Sequence, residues 1–159
     1  YVDKKTGLPN REKLNIYIGE MAGKVLPEAF TCFTLSLDNL SELTKRFGYT
    51  VGDGVLKDFA GLVQLMGDTE GMRGYNGIGR FVVFFEECSS KKAAAMIRIL
   101  DNQVEEYNSL NPEYPIRYTA TWATTEETDT YEIRELLRLS QKKWKQMEKE
   151  KKDKTEEET

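Results

Sequence analysis

A chain with no histidine, and with its two cysteines far apart at Cys32 and Cys88, has to build any reaction centre from carboxylates, hydroxyls and basic side chains. Imidazole is unavailable as general base, as metal ligand and as the simplest pH switch. No cysteine spacing suits a zinc site or a disulfide framework, so each cysteine reads as a small apolar residue in a reducing compartment. The carboxylates worth weighing are Asp38, two residues after Ser36, and Asp53. A magnesium ion takes hard oxygen ligands, usually one or two carboxylates with phosphate and water, and the Ser36/Asp38 spacing specifies little of that by itself. Arg80 stands in the stretch Gly77-Ile78-Gly79-Arg80-Phe81. An arginine keeps its proton at neutral pH, so Arg80 can attract an anion but cannot serve as a base.

The elements that hold these side chains follow from hydrophobic period and turn chemistry. Asn76-Gly77 reads as a turn, and the apolar run 81–85 behind it as the buried central strand of a hairpin. Residues 30–38 alternate Phe33, Leu35 and Leu37 with Cys32, Thr34, Ser36 and Asp38, the two-residue period of a strand with unlike faces. Asn39 or Asp38 then caps a short helix bearing Leu40, Leu43 and Phe47, stopped by Gly48. A longer helix carries Val51, Val55, Phe59, Leu62, Val63 and Met66 and ends at Gly67, and glycines and polar residues lead from there to Gly74.

Upstream, residues 3–11 are turn-rich, with Asn10 capping a helix that lines up Leu14, Ile18, Met21 and Val25. Downstream, Ser89 or Ser90 caps a helix striped by Ala93, Met96, Ile97, Leu100, Val104 and Tyr107, which Asn111-Pro112 breaks. Residues 116–125 are rich in Thr, Tyr and Trp and read as a strand. Asp129 and Glu132, spaced as a capping box, open a last helix that buries Ile133, Leu136, Leu137, Trp144 and Met147. This order predicts an α+β fold with a mostly antiparallel central sheet and helices packed on both faces.

At 159 residues, 39% hydrophobic and 31% charged, the chain fits one domain with a real core. Its net charge of -4 argues against a nucleic-acid surface. The longest apolar runs, 81–85 and 93–97, fall far short of the roughly 20 residues that span a bilayer. We therefore expect no nucleic-acid partner, no direct membrane contact and a cytoplasmic location. Residues 1–150 form the expected domain; 151–159 read as a charged tail or linker, within an end segment where seven lysines face six acids from Gln141 onward. Because the chain starts at Tyr1 and not at a methionine, it is read as part of a longer protein that could carry a membrane anchor elsewhere.

Four stretches resemble the motifs of GGDEF domains, the diguanylate cyclases. The hairpin Gly77-Ile78-Gly79-Arg80-Phe81 resembles the Gly-Gly-Asp/Glu-Glu-Phe signature, with the turn glycine and the phenylalanine kept. The opening Asp3-Lys4-Lys5-Thr6-Gly7-Leu8-Pro9-Asn10-Arg11 resembles the family's Asp-x-x-Thr-Gly-Leu-x-Asn-Arg. The segment from Leu37-Asp38-Asn39-Leu40 through Phe47-Gly48-Tyr49-Thr50-Val51-Gly52-Asp53 resembles its Asp-x-Asp-x-Phe-Lys-x-x-Asn-Asp-x-x-Gly-His-x-x-Gly-Asp run. The resemblance implies a nucleotide-cyclase-like fold with a ferredoxin-like core. It also implies a reaction in which two GTP molecules are joined into cyclic di-GMP, a phosphoryl transfer carried by positioning and by Mg²⁺.

In that register the positions that do the family's chemistry are altered. The first metal-binding Asp falls on Ser36, the two signature acids on Gly79 and Arg80, and the guanine-reading Asn on Thr44, while the second guanine reader is kept as Asp53. The Arg-x-x-Asp feedback site falls on Asp68 and Gly71, so product inhibition is expected to be absent. The segment Ser140-Gln141-Lys142-Lys143-Trp144-Lys145-Gln146-Met147-Glu148 resembles the last-helix motif, with its phosphate-contacting Lys reversed in charge at Glu148. The family's final strand has no counterpart in residues 149–159, which contain no apolar side chain.

The resulting expectation is a degenerate GGDEF domain without catalytic residues, metal or cofactor. It would regulate or scaffold a neighbouring domain, such as a cyclic di-GMP phosphodiesterase or a sensor, and a homodimer is compatible with that role. Two alternatives stay open. One is a sensor that binds GTP or GDP weakly through Asp53, Thr44, Gly77 and Arg80, with the hairpin backbone and the helix start near Leu40 drawing the anion without metal. The other is a residual cyclase whose metal has moved to Asp38. If neither holds, Arg80 pairs with a surface acid such as Glu86 or stays solvated.

Overall fold

The computed structural model describes residues 1–67 and 70–158, without the side chains of residues 157 and 158. Its elements run α1 (Arg11–Met21), β1 (Thr31–Leu37), α2 (Leu40–Phe47), α3 (Tyr49–Gln64), β2 (Gly71–Gly77), β3 (Arg80–Phe85), α4 (Ser90–Leu110), β4 (Tyr118–Thr124), α5 (Thr125–Thr128) and α6 (Ile133–Glu158). The four strands form one sheet in the order β2-β3-β1-β4, antiparallel at every pairing. The expected α+β architecture is therefore present, with α5 as the one short element that periodicity does not announce.

All seven residues of β1 are buried, so its alternation separates two covered faces and not a core from solvent. One face, with Phe33, Leu35, Leu37, Phe81, Val83 and Phe85, packs under Leu43 of α2, Phe59 and Val63 of α3 and Leu100 of α4. The other, with Cys32, Val82, Phe84 and Ala123, packs under Leu14 of α1 and Ile133 and Leu136 of α6. Phe30, Phe33, Phe59, Phe81 and Phe84 are fully buried. Burial on that scale stabilises by about 1.5–3 kcal/mol for each such side chain. Cys32 and Cys88 are free and buried.

The caps show where local chemistry and tertiary contacts diverge. Asn10 and Ser89 cap α1 and α4 as expected, accepting from the N–H groups of Lys13 and Lys92. Asn39 sits at the start of α2 but makes no cap bond. Its amide instead donates to Pro115 O at 2.7 Å and accepts from Arg117 N at 3.2 Å, tying the end of β1 to the approach to β4. Asp129 does not open the last helix: it lies in the left-handed region at the end of α5, and Glu132 caps α6 by accepting from Glu135 N at 2.8 Å. Val25 lies beyond α1 and is exposed, so the apolar stripe of that helix ends a turn early.

Two further differences concern the hairpin and the chain end. β2 begins at Gly71, inside the stretch that reads as loop, and the turn consists of Ile78 and Gly79 and not Asn76-Gly77. Positive φ at both turn residues, 54° and 71°, gives the twist that a two-residue hairpin needs. The register shifts between Tyr75 and Gly77, leaving Asn76 at a bulge. α6 continues without interruption past Glu150 to Glu158, and it occupies the sequence in which the family's final strand has no counterpart.

Candidate functional site

Ser36, near the end of β1, is paired with Arg80 of β3 on one side and with Thr119 of β4 on the other. Cross-strand partners share a face, so Arg80, Ser36 and Thr119 form a row across three strands. α6 lies over that row. Ile133, Leu136, Ser140, Trp144, Glu148 and Lys151 recur at helical spacing along it, changing from apolar to polar as the helix advances. Below the row of interest, Ser140 is fully buried and its hydroxyl meets Thr34 Oγ1 at 2.8 Å, while its carbonyl accepts from Thr121 Oγ1 at 2.9 Å.

One turn further on, the Trp144 indole N–H donates to Ser36 Oγ at 2.8 Å, and the Ser36 hydroxyl donates to Asp38 Oδ1 at 2.6 Å. Thr119 Oγ1 lies 2.6 Å from Asp38 Oδ2 and 3.0 Å from Glu148 Oε1. With a single proton, it donates to one carboxylate at a time. The Lys151 ammonium completes the group: it donates to Thr119 Oγ1 and to Tyr118 O, and stands 3.6 Å from Asp38 Oδ2. Burial raises the Glu148 carboxyl above its ordinary range; the Thr119 hydroxyl lowers it, the Asp38 carboxylate adds to the rise, and Lys151 opposes it. Arg80 is exposed, and its guanidinium lies over the Trp144 ring, 4.6 Å from the centroid. Among the described residues it makes no ion pair with Glu86.

The hairpin turn closes against the same end of β1. Gly79 N–H donates to the Tyr75 hydroxyl at 2.9 Å, and Gly79 O accepts from Leu37 N at 2.7 Å. A Cβ at Gly79 would stand 3.1 Å from Leu37 O and 3.3 Å from a Leu40 methyl. Gly77 also has positive φ, and the Arg11 guanidinium reaches past it to hold Asn76 through both its carbonyl and its side chain. Arg11 thus ties the start of α1 to the bulge.

The structure brings Ser36, Arg80 and Glu148 together with Asp38, with Gly79 against the same end of β1, and places Asp53, Thr44 and Gly71 elsewhere. Asp53, on α3, pairs with Lys5 at 3.4 Å. Thr44, on α2, faces Gly52 so closely that a Cβ there would meet its Oγ1 at 2.3 Å. Gly71 opens β2 opposite Phe85, and a Cβ there would lie 2.4 Å from the Phe85 ring and 2.8 Å from Phe84 O, so a side chain there would force the ring or the strand to shift. Asp68 lies outside the described residues.

This donor set does not fit magnesium. At Ser36, Gly79 and Arg80 there are a hydroxyl already bonded on both sides, a glycine and a cation, and the carboxylate of Asp38 is engaged by two hydroxyls and an ammonium. Among the described residues no group of three or more His, Cys, Asp or Glu side chains could hold a metal ion. Thr119 and Lys151 are the participants that sequence reading did not single out, and Trp144 was read only as core. The signal that could have found the helix residues is the spacing Trp144, Glu148, Lys151, one polar stripe continuing the buried stripe of α6.

A single antiparallel sheet bearing a βααββαβ order, with the candidate site at the junction of β1, the hairpin and the last helix, defines a cyclase-like α+β domain. The family model described as "Diguanylate cyclase, GGDEF domain" matches residues 1–154, and the chain belongs to the GGDEF family. Among solved structures it is similar to the GGDEF domain of FimX from Pseudomonas aeruginosa, with a TM-score of 0.72 at 18% identity over 89% of each chain. It also resembles a diguanylate cyclase/phosphodiesterase from Caldicellulosiruptor saccharolyticus, with a TM-score of 0.67 at 19% identity over 87% of this chain and 80% of that one. A third likeness is to the S helix-GGDEF-EAL portion of Vibrio cholerae LapD bound to c-di-GMP, with a TM-score of 0.61 at 14% identity, covering 78% of this chain and 28% of that one. Among curated proteins none matches the chain.

Proposed function

We propose that this domain is a non-catalytic signalling module of cytoplasmic cyclic di-GMP pathways, one that regulates or scaffolds a neighbouring domain of a longer chain. The observation that carries the reading is the bond from the Trp144 indole to Ser36, with Arg80 stacked on the same ring. On this reading, the chain's own side chains take the place at which the family's reaction needs metal-bound phosphate. Membership of the family supports the signalling context, and the LapD structure, in which a GGDEF domain is joined to an EAL domain, supports a neighbouring domain as the partner.

The direct test is incubation with GTP and Mg²⁺ or Mn²⁺. No cyclic di-GMP is expected above a no-protein control. Product that appears with the natural chain and disappears in Asp38→Ala would overturn the reading in favour of a displaced metal centre. Asp53 engaged by Lys5 and Arg80 stacked on Trp144 weigh against the weak GTP or GDP sensor. Metal-independent GTP binding, titrated with and without EDTA and lost in Arg80→Ala, would bring that alternative back.

A further inference from the structure

β4 is an outer strand of the sheet. Its partner β1 engages it through the odd-numbered positions, as the bond from Asp38 N to Arg117 O shows at the adjoining pair, and antiparallel alternation then turns the peptide groups of Tyr118, Ala120 and Trp122 outward. An exposed row of this kind is a template for another strand. The opposite edge is partly covered by the chain itself, where Tyr75 N of β2 donates to Pro9 O. Among the described residues no such backbone partner stands beside β4. A groove of about 540 Å³ runs between it and α6, lined by Ala120, Trp122, Lys142, Met147 and Glu150 among others, and a second of about 210 Å³ continues past Tyr118 toward Asp101.

Two lysines of α6 reach across this space to the strand. Lys143 Nζ donates to Trp122 O at 2.8 Å, and Lys151 Nζ donates to Tyr118 O at 3.2 Å. They stand eight residues apart in sequence, two turns along one helix face, and they meet alternate outward carbonyls of the strand. We infer that Lys143 and Lys151 are an edge guard: they occupy the acceptors that a second copy of this chain would need in order to pair its own β4 antiparallel to this one. The occupant they exclude is a second copy because an antiparallel edge is complementary to itself about a two-fold axis. An incoming strand would have to strip both ammonium groups from their carbonyls, displacing Lys143 from Trp122 O and leaving Lys151 with Thr119 and Asp38 alone.

The test compares the natural chain with Lys143→Met/Lys151→Met and with Lys143→Arg/Lys151→Arg, by sedimentation over a range of concentrations and by amide exchange at Tyr118, Ala120 and Trp122. The natural chain and the arginine variant are expected to show edge amides whose exchange does not depend on protein concentration. The methionine variant is expected to self-associate, with those three amides becoming protected as concentration rises. Adding Ala120→Pro, which removes the central outward N–H at an edge where proline is tolerated, is expected to reverse both changes. A folded methionine variant that stays unassociated, or association that Ala120→Pro leaves intact, overturns the inference. Lys151 also touches Asp38, so if the double variant does not fold, Lys143→Met alone decides by the same readings.

Discussion

Trp144 holds its neighbours through two different properties of one ring: the N–H of its edge serves Ser36 and its face carries Arg80. Substitutions separate them. Trp144→Phe keeps a face for the guanidinium but removes the donor, and is expected to lower unfolding free energy by about 1 kcal/mol, the net worth of one hydrogen bond. Trp144→Ala removes both and is expected to cost about 2–3 kcal/mol, less than for a fully buried aromatic because the ring is half-exposed. Urea unfolding of both variants checks the difference. Glu148 supplies a pH dependence whose sign follows from its raised folded pKa. Such a group contributes stability that is complete below its unfolded pKa and is lost as pH rises through the folded value. Glu148→Gln keeps the neutral form, so its stability relative to the natural chain is expected to rise as pH increases from about 4, the ordinary glutamate range, through the raised folded value. A flat difference across that interval would show that partial burial does not raise the Glu148 carboxyl.

Individual elements were legible in the sequence wherever one chemical rule acts within a few residues. Asn10 and Ser89 cap their helices because an extended residue with a short acceptor side chain satisfies a nearby free N–H. Ser89→Ala is expected to cost about 1 kcal/mol and to leave the sheet unchanged, as thermal unfolding with circular dichroism would show. Asn39 has the same chemistry but better partners across 76 and 78 residues, which no local rule can weigh. The turn at Ile78-Gly79 was obscured in the same way, since Asn76-Gly77 is the stronger local signal and the bulge that shifts it depends on how β2 meets β3. Gly71 shows the converse. It reads as loop, yet it is a strand position pressed against the ring of Phe85. Gly71→Asp, which supplies the acid that the motif resemblance expects at this position, is expected to destabilise by about 1–3 kcal/mol through overpacking. In calorimetry it is expected to leave cyclic di-GMP without saturable binding in the low micromolar range, where affinity is about -8 kcal/mol.

Across the whole molecule, the architecture was legible because apolar periods of two and near four alternate cleanly along the chain. The character of the site was legible only in part. The resemblance singled out Ser36, Gly79 and Arg80, but the partner that Ser36 meets there is Trp144, 108 residues away, and that contact depends on the way α6 lies across β1 and β4. α6 itself has two parts. Up to Lys151 its side chains meet the sheet, whereas residues 152–156 are exposed. Backbone amide exchange is expected to be slow from Leu137 to Lys151 and to approach that of an isolated helix beyond it. Uniform protection to the end would show that another part of the molecule covers those turns.

Lys151 bears on more than packing. A cation held on the same chain as its carboxylate partners competes with ions from solution at an effective concentration that dilution does not lower. Asp38 therefore has a counter-ion on its own chain, supplied when the helix docks and withdrawn when it leaves. The domain's conformation should be indifferent to magnesium and to chelators alike. A partner that reads this surface would receive a signal insulated from divalent-ion levels and governed by whether the last turns of α6 are in place.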